Sequence, residues 1–264
     1  MGTGGRVEYA VTTRVLVLGG TGEAAQLAST AVRAGFDVVS SLAGRTERPR
    51  RPAGDVRVGG FGGASGLARY LSDEHVDAVV IATHPFATRI AAAAAQACAA
   101  TGVPVLALRR PAWRQRHGER WHRVADLPSA AAAVSDVGSR ALLTIGRQDL
   151  AVFADIGRVW FLIRCVEEPA GPLPRRSEVL LARGPYTIAG ERALLRDRDI
   201  DVVVTRNSGG GATAAKLDAA RDLHIPVVMV DRPPGPDVAT VADVDTAMTW
   251  LADQRAALEP STQL

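Results

Sequence analysis

The feature that most constrains this chain is a rhythm of short, largely apolar runs rich in β-branched residues: RVLVL (14–18), DVVSS (37–41), DVRV (55–58), DAVVIA (77–82) and VPVLAL (103–108). A strand with one wet face alternates apolar and polar residues, whereas a strand covered on both faces is apolar throughout. The runs therefore read as parallel strands between helical layers. The stretches between them agree: GEAAQLASTAVRAG (22–35) closes on Gly35 as a helix C-terminus does, GASGLARYLSDEH (63–75) spaces Leu67 and Leu71 one turn apart, and PFATRIAAAAAQACAATG (85–102) opens with Pro85 at an expected N1. The result is a doubly wound α/β sheet.

After Leu108 the pattern breaks into an Arg/Trp/Pro-rich stretch, and a second series follows. Its strands are expected near 141–146, 158–165, 178–184, 201–206 and 226–233, with helices LAVFADI (150–156), ERALLRDRD (191–199), GATAAKLDAARDLH (211–224) and VDTAMTWLADQRAAL (244–258) between or after them. Two Rossmann-like domains of mostly parallel sheet are expected, 13–125 and 126–258, with the boundary somewhere between 110 and 140. Residues 1–12 read as an unstructured leader and 259–264 as a disordered tail. At 264 residues and 47% hydrophobic content there is enough chain for two cores.

Composition excludes several classes. The 31 basic and 28 acidic residues leave a net charge of +3, and the basic clusters GRTERPRR (44–51) and RRPAWRQR (109–116) lack the interleaved aromatics of a strand-binding groove, so nucleic acid is not an expected partner. Every basic residue but Lys216 is arginine, whose planar fork suits phosphate and carboxylate. Cys98 and Cys165 stand alone and the five histidines are scattered, with no zinc-ligand spacing. A reduced, metal-free cytoplasmic protein is expected. No run approaches the roughly 18 apolar residues of a membrane span, and the opening residues carry no signal-peptide core.

Ligands of doubly wound sheets bind beyond the carboxyl ends of the strands, and the unusual residues lie there. Gly20-Thr21-Gly22-Glu23-Ala24-Ala25 satisfies G-x-G-x-x-A between a strand and a helix, which reads either as a pyrophosphate cradle or as an ordinary glycine-rich turn. Beyond the second strand an NAD site expects a carboxylate. Here the chain offers Ser40, Ser41, Leu42, Ala43, Gly44, Arg45 and Thr46, and hydroxyls with an arginine favour the 2′-phosphate of NADPH. The alternative for Arg45 is a solvated loop arginine. Thr83, His84 and Pro85 stand where the fourth strand meets a helix, and His84 reads equally as a proton donor or as a turn cap. Ser208, Gly209 and Gly210 form a second glycine-rich turn with Lys216 further along its helix, and two such turns suggest a ligand held between domains. No tyrosine has a lysine four residues later and there is no G-x-S-x-G elbow, which excludes short-chain dehydrogenase and serine-hydrolase chemistry.

Taken in order, GGTGEA (19–24), SLAGRT (41–46), GGFGG (59–63), ATHPFA (82–87), TIGR (144–147), RGPY (183–186) and the NSGG…K…IPVV…RP series (207–233) resemble the precorrin-6A reductase family, NADPH-dependent enzymes of cobalamin biosynthesis. The resemblance implies two Rossmann-like domains with cofactor and substrate in the cleft between them. It implies reduction of one C=C bond of the macrocycle to give precorrin-6B, chemistry in which the cofactor carries the reactive atom. By analogy Gly19, Gly20, Thr21, Gly22, Glu23, Ser41, Arg45 and Thr46 hold NADPH. Thr83, His84, Pro85, Arg147, Arg183, Ser208, Gly209, Gly210 and Lys216 face the polycarboxylate tetrapyrrole. The competing expectation is a non-catalytic NADP-binding sensor. The proton donor, a metal-free or cobalt-containing substrate and the assembly state stay open, a monomer being sufficient.

Overall fold

The computed structural model describes residues 12–44 and 51–258. The expected leader before Thr12, the expected tail 259–264, and the expected cofactor residues Arg45 and Thr46 lie outside them.

In chain order the elements are β1 (Arg14–Leu18), α1 (Gly22–Arg33), β2 (Asp37–Leu42), β3 (Asp55–Val58), α2 (Ala64–Asp73), β4 (Ala78–Ile81), α3 (Thr88–Thr101), β5 (Val105–Leu108), β6 (Trp121–Val124), α4 (Leu127–Val137), β7 (Arg140–Thr144), β8 (Trp160–Cys165), β9 (Ser177–Leu181), α5 (Ile188–Asp197), β10 (Val202–Arg206), α6 (Ala215–Asp222), β11 (Val227–Val230), β12 (Thr240–Val241) and α7 (Val244–Leu258). Two six-stranded sheets form, in the orders β12-β5-β4-β1-β2-β3 and β6-β11-β10-β7-β8-β9. Every strand pairing among the described residues is parallel.

The fully apolar strands behave as their composition demands. In the first sheet Val15, Val17 and Val38 pack under α1 and α7, while Leu16, Leu18 and Val39 pack under α2 and α3. The second sheet buries Leu142, Leu162, Val203 and Met229 against Leu195, Leu217 and Ala220 of α5 and α6.

The domain expectation is corrected in one respect. The chain divides into residues up to Arg110 together with Gly235 onward, and Pro111–Pro234. β6, which lies within the expected first domain, pairs with β11 of the second sheet, and β12 with α7, expected in the second domain, belong to the first. The two exchanged pieces are alike: RVADLPSA (123–130) and TVADVDTA (240–247) each run from a strand end to an aspartate that accepts from the amide three residues on, Ser129 N at 2.8 Å and Thr246 N at 2.8 Å. Each then buries an alanine completely, Ala130 or Ala247. An R-P step precedes each, Arg110-Pro111 and Arg232-Pro233.

Smaller differences follow from local chemistry. Pro85 is not at N1: α3 begins at Thr88, and Pro85 lies in the turn ahead of it. The expected helix at 150–156 is one 3₁₀ turn, Leu150–Phe153, anchored by the buried Leu150 and Phe153. Among the described residues no helix is long and apolar enough to cross a membrane. Cys98 and Cys165 are buried free thiols, and burial pushes Cys98 up to about 11.

Candidate functional site

In each sheet the strand order reverses beside the first strand of the series, between β1 and β4 and between β7 and β10. Such switch points open a crevice at the carboxyl ends of the strands.

In the first unit, β1 runs into Gly19 and Gly20 before α1 starts. Gly20 sits at φ +111°, which a side chain would make costly. Gly19 N donates to Ser41 O at 3.0 Å, which ties the turn to the end of β2. Thr21 is the N-cap: its Oγ1 accepts from Ala24 N at 3.1 Å and donates to Ala82 O at 2.8 Å. One hydroxyl therefore links the end of β1 to the end of β4, across the switch point. At Gly22 an added Cβ would meet nothing within 4 Å, so the face over the first helical turn is open. Amides lacking intrahelical partners and the positive end of the helix dipole face that opening, and a phosphate fits it. The Glu23 carboxylate is held by Arg110 Nη1 at 2.7 Å, which leaves the main chain of Glu23 as its means of meeting an anion.

At the end of β2, Ser40 and Ser41 are buried, and Ser40 Oγ has no hydrogen-bond partner among the described residues. Arg57, paired in register with Ser41, donates to Gly59 O at 2.7 Å and Gly60 O at 2.8 Å and lies 3.8 Å over the Phe61 ring. It shapes the loop beside β2, a role that no residue-level reading anticipated. After β4, the half-buried His84 works as a turn residue: Nδ1 accepts from Phe86 N at 3.3 Å and its carbonyl from Ala87 N at 2.7 Å.

In the second unit Arg147 follows β7, where Nη2 pairs with Glu167 Oε2 at 3.4 Å and Nη1 donates to Glu168 O at 3.2 Å. Arg183 is exposed just after β9. Arg206, at the end of β10, pairs with Asp149. The glycine-rich turn that follows is held from behind. The Asn207 side chain brackets the backbone of Trp113, accepting from its N at 2.8 Å and donating to its O at 3.0 Å. Trp113 Nε1 donates to Gly210 O at 2.9 Å, and Arg232 donates to Asn207 O at 2.6 Å and Ser208 O at 2.7 Å. Gly209 and Gly210 take φ +64° and +78°, and a Cβ on Gly209 would sit 2.0 Å from Pro111 O.

Lys216 departs from the expectation of a residue reaching out to a ligand. It is 3% exposed, and its Nζ donates to Thr213 O at 2.7 Å and lies 4.6 Å from the Trp113 ring centre. The helix phase turns this side chain inward, where no solvent competes for it.

The carboxyl ends of the first sheet thus gather Gly19–Glu23, Ser41 and Thr83–Pro85, and those of the second gather Arg147, Arg183 and Ser208–Gly210. Trp113, Asn207, Arg232, Arg110 and Arg57 are the contributors that the sequence did not single out. The cluster at 109–116 was visible as a basic stretch, but its attachment to the two turns is a long-range contact.

Two doubly wound parallel sheets with glycine-rich turns at their switch points define a two-unit Rossmann-like α/β protein. The model of the family described as precorrin-6x reductase CbiJ/CobK matches residues 14–252, and the chain belongs to that family. It is 54% identical over 241 residues to the precorrin-6A reductase of Rhodococcus erythropolis, covering 90% of this chain and 97% of that one. It is 45% identical to the precorrin-6A reductase of Rhodobacter capsulatus, covering 92% and 98%. The solved structure titled CobK precorrin-6A reductase superposes with a TM-score of 0.87 at 45% identity, covering 92% of this chain and 97% of that one.

Proposed function

We infer that this chain is a precorrin-6A reductase that takes its hydride from NADPH. The observation that carries the activity is family membership over residues 14–252, joined to near-complete coverage of relatives that bear that name. The cofactor rests on the β1–α1 turn: Gly20 in a glycine-favouring conformation, Thr21 capping α1, and open space over Gly22. NADPH, when bound, supplies the hydride that adds to one carbon of the reduced C=C bond, while a proton adds to its neighbour and NADP⁺ is released.

The residues of this chain bind and orient. The turn at Gly19–Glu23 receives the diphosphate, and Ser41, Arg45 and Thr46 receive the 2′-phosphate. Arg147, Arg183 and the Ser208–Gly210 turn receive substrate carboxylates, with Thr83, His84 and Pro85 lining the acceptor. Holding donor and acceptor carbons at about 3 to 3.5 Å is the main catalytic contribution in such a site. Charge-assisted hydrogen bonds to each carboxylate contribute about 1.5 to 3 kcal/mol.

Mixing the purified protein with NADPH and precorrin-6A tests this: nicotinamide absorbance falls in step with formation of a product two hydrogens heavier. A protein that binds the nucleotide and leaves it unoxidised with authentic substrate is a sensor, not a reductase.

A further inference from the structure

The one lysine of the chain is buried, and the functional reading above gives it no ligand to touch. Its surroundings show what it holds. Four carbonyls of the turn between β10 and α6 are gripped from the same scaffold: Asn207 O and Ser208 O by Arg232, Gly210 O by the Trp113 indole, and Thr213 O by Lys216. The Lys216 ammonium also rests against the Trp113 ring at 4.6 Å, so the two donors brace each other. In a planar trans peptide the N–H points opposite the C=O. Drawing the Ser208 and Gly210 carbonyls toward Arg232 and Trp113 therefore turns the Gly209 and Gly211 amides the other way. With Gly209 and Gly210 at positive φ, successive amides form the kind of concavity that accepts an anion.

We infer that Lys216 and Trp113 are positioning residues for substrate: from behind the 207–214 turn they aim its amides at a carboxylate of the tetrapyrrole. This rests on the reductase reading. Lys216 never meets the ligand; it acts through Thr213 and Trp113.

The charged groups around the ammonium give the device a pH signature. Burial is the largest influence on Lys216, and Arg164 from β8 adds to it, while Glu191 from α5 opposes both; the ammonium is lowered to about 7. Arg164 is itself paired with Glu191 at 2.5 Å and stacked 4.0 Å over the Tyr186 ring. Above about pH 7 the neutral amine still fits its place but loses its charge-assisted bond and its hold on the indole. The stability link has the opposite sense. The unfolded chain keeps that proton up to about 10.4, so folding gains stability as pH rises from about 7 toward that value.

The experiment is steady-state kinetics of the unmodified protein, Lys216→Met and Trp113→Phe against precorrin-6A and NADPH at several pH values, with a thermal melt of each. Lys216→Met keeps the volume and removes a buried charge, so it should melt at or above the parent temperature. It should raise KM for precorrin-6A about tenfold at pH below 7, the worth of one charge-assisted hydrogen bond, with KM for NADPH unmoved. The parent's KM for precorrin-6A should rise above about pH 7, and the variant's should stay flat. Trp113→Phe keeps an aromatic face, loses the indole bond to Gly210 O, and should raise the same KM by a smaller factor. A Lys216→Met protein that keeps the parent's KM and its pH dependence overturns the inference, as do variants in which both KM values rise together with a fallen melting temperature. No turnover by the unmodified protein overturns the reductase reading itself, and this inference with it.

Discussion

At the scale of single residues, arginine and the backbone do most of the polar work. Glu23 is paired with Arg110, Asp149 with Arg206 and Glu191 with Arg164, and two further arginines, Arg57 and Arg232, are spent on main-chain carbonyls. Some of these roles were legible. Gly20 was legible as a turn residue because its constraint is local, a backbone angle, whereas the capping of α1 by Thr21 was not singled out although it too is local, a bond to an amide three residues on. The inward turn of Lys216 was not legible, since spacing along a helix says nothing of which neighbours its phase will face; Thr213 O and the Trp113 ring are what it meets. Arg147 likewise has Glu167 for company, a partner some twenty residues away. The residue-scale prediction concerns Arg45. A guanidinium that reads a 2′-phosphate discriminates against the cofactor lacking it, so Arg45→Ala should weaken NADPH at least about tenfold, the value of one charge-assisted bond, and leave NADH nearly unchanged. Fluorescence titration with each nucleotide measures the ratio; equal losses would remove Arg45 from the phosphate.

At the scale of elements, strands buried on both faces were recognisable, while of the four edge strands β3 and β9 were legible and β6 and β12 were not. β4 and β11 are apolar throughout, β1 is apolar but for Arg14 at its start and β10 but for Thr205 and Arg206 at its end, because each lies inside a sheet. β6 reads Trp-His-Arg-Val, half exposed at a sheet edge, and β12 is two residues long, so neither announces itself. α4 was missed although Asp126 caps it and Pro128 occupies its first turn, since its alanine run gives a weak period. The two caps carry a prediction. Hydrogen bonds from the Ser129 hydroxyl and amide hold the Asp126 carboxyl below its usual range, and the Thr246 amide and hydroxyl do the same for Asp243. A carboxylate lowered on folding stabilises above its unfolded value and ceases to do so as pH falls through the folded one. Asp126→Ala and Asp243→Ala should each lower the melting temperature at neutral pH. The gap from the parent should close in acid; a gap that persists there would count against the caps.

At the scale of the whole molecule, the chain builds its second unit as one contiguous stretch, Pro111–Pro234, and its first from two separated pieces. α7 supplies Val244, Ala247 and Leu251 to the core formed with Val15, Leu27 and Ala28. Burying a side chain such as Val or Leu contributes about 1.5 to 3 kcal/mol, a large share of the roughly 5 to 15 kcal/mol that stabilises a domain. A fragment of residues 111–234 should therefore melt cooperatively by circular dichroism, while a fragment of residues 1–110 should show no cooperative transition. Cooperative melting of 1–110 alone would show that β12 and α7 are dispensable to that core.

The amino-acid order alone determined the parallel, doubly wound architecture and the glycine-rich turns at the strand ends, because covering a strand on both faces and turning at positive φ are demands met within a few residues. Tertiary structure alone decided that β6 joins the second sheet and β12 with α7 the first, and that a lysine in the first turn of α6 points inward. Both depend on contacts between residues far apart in the chain, where burial and pairing, not local propensity, choose among alternatives that the sequence leaves equal.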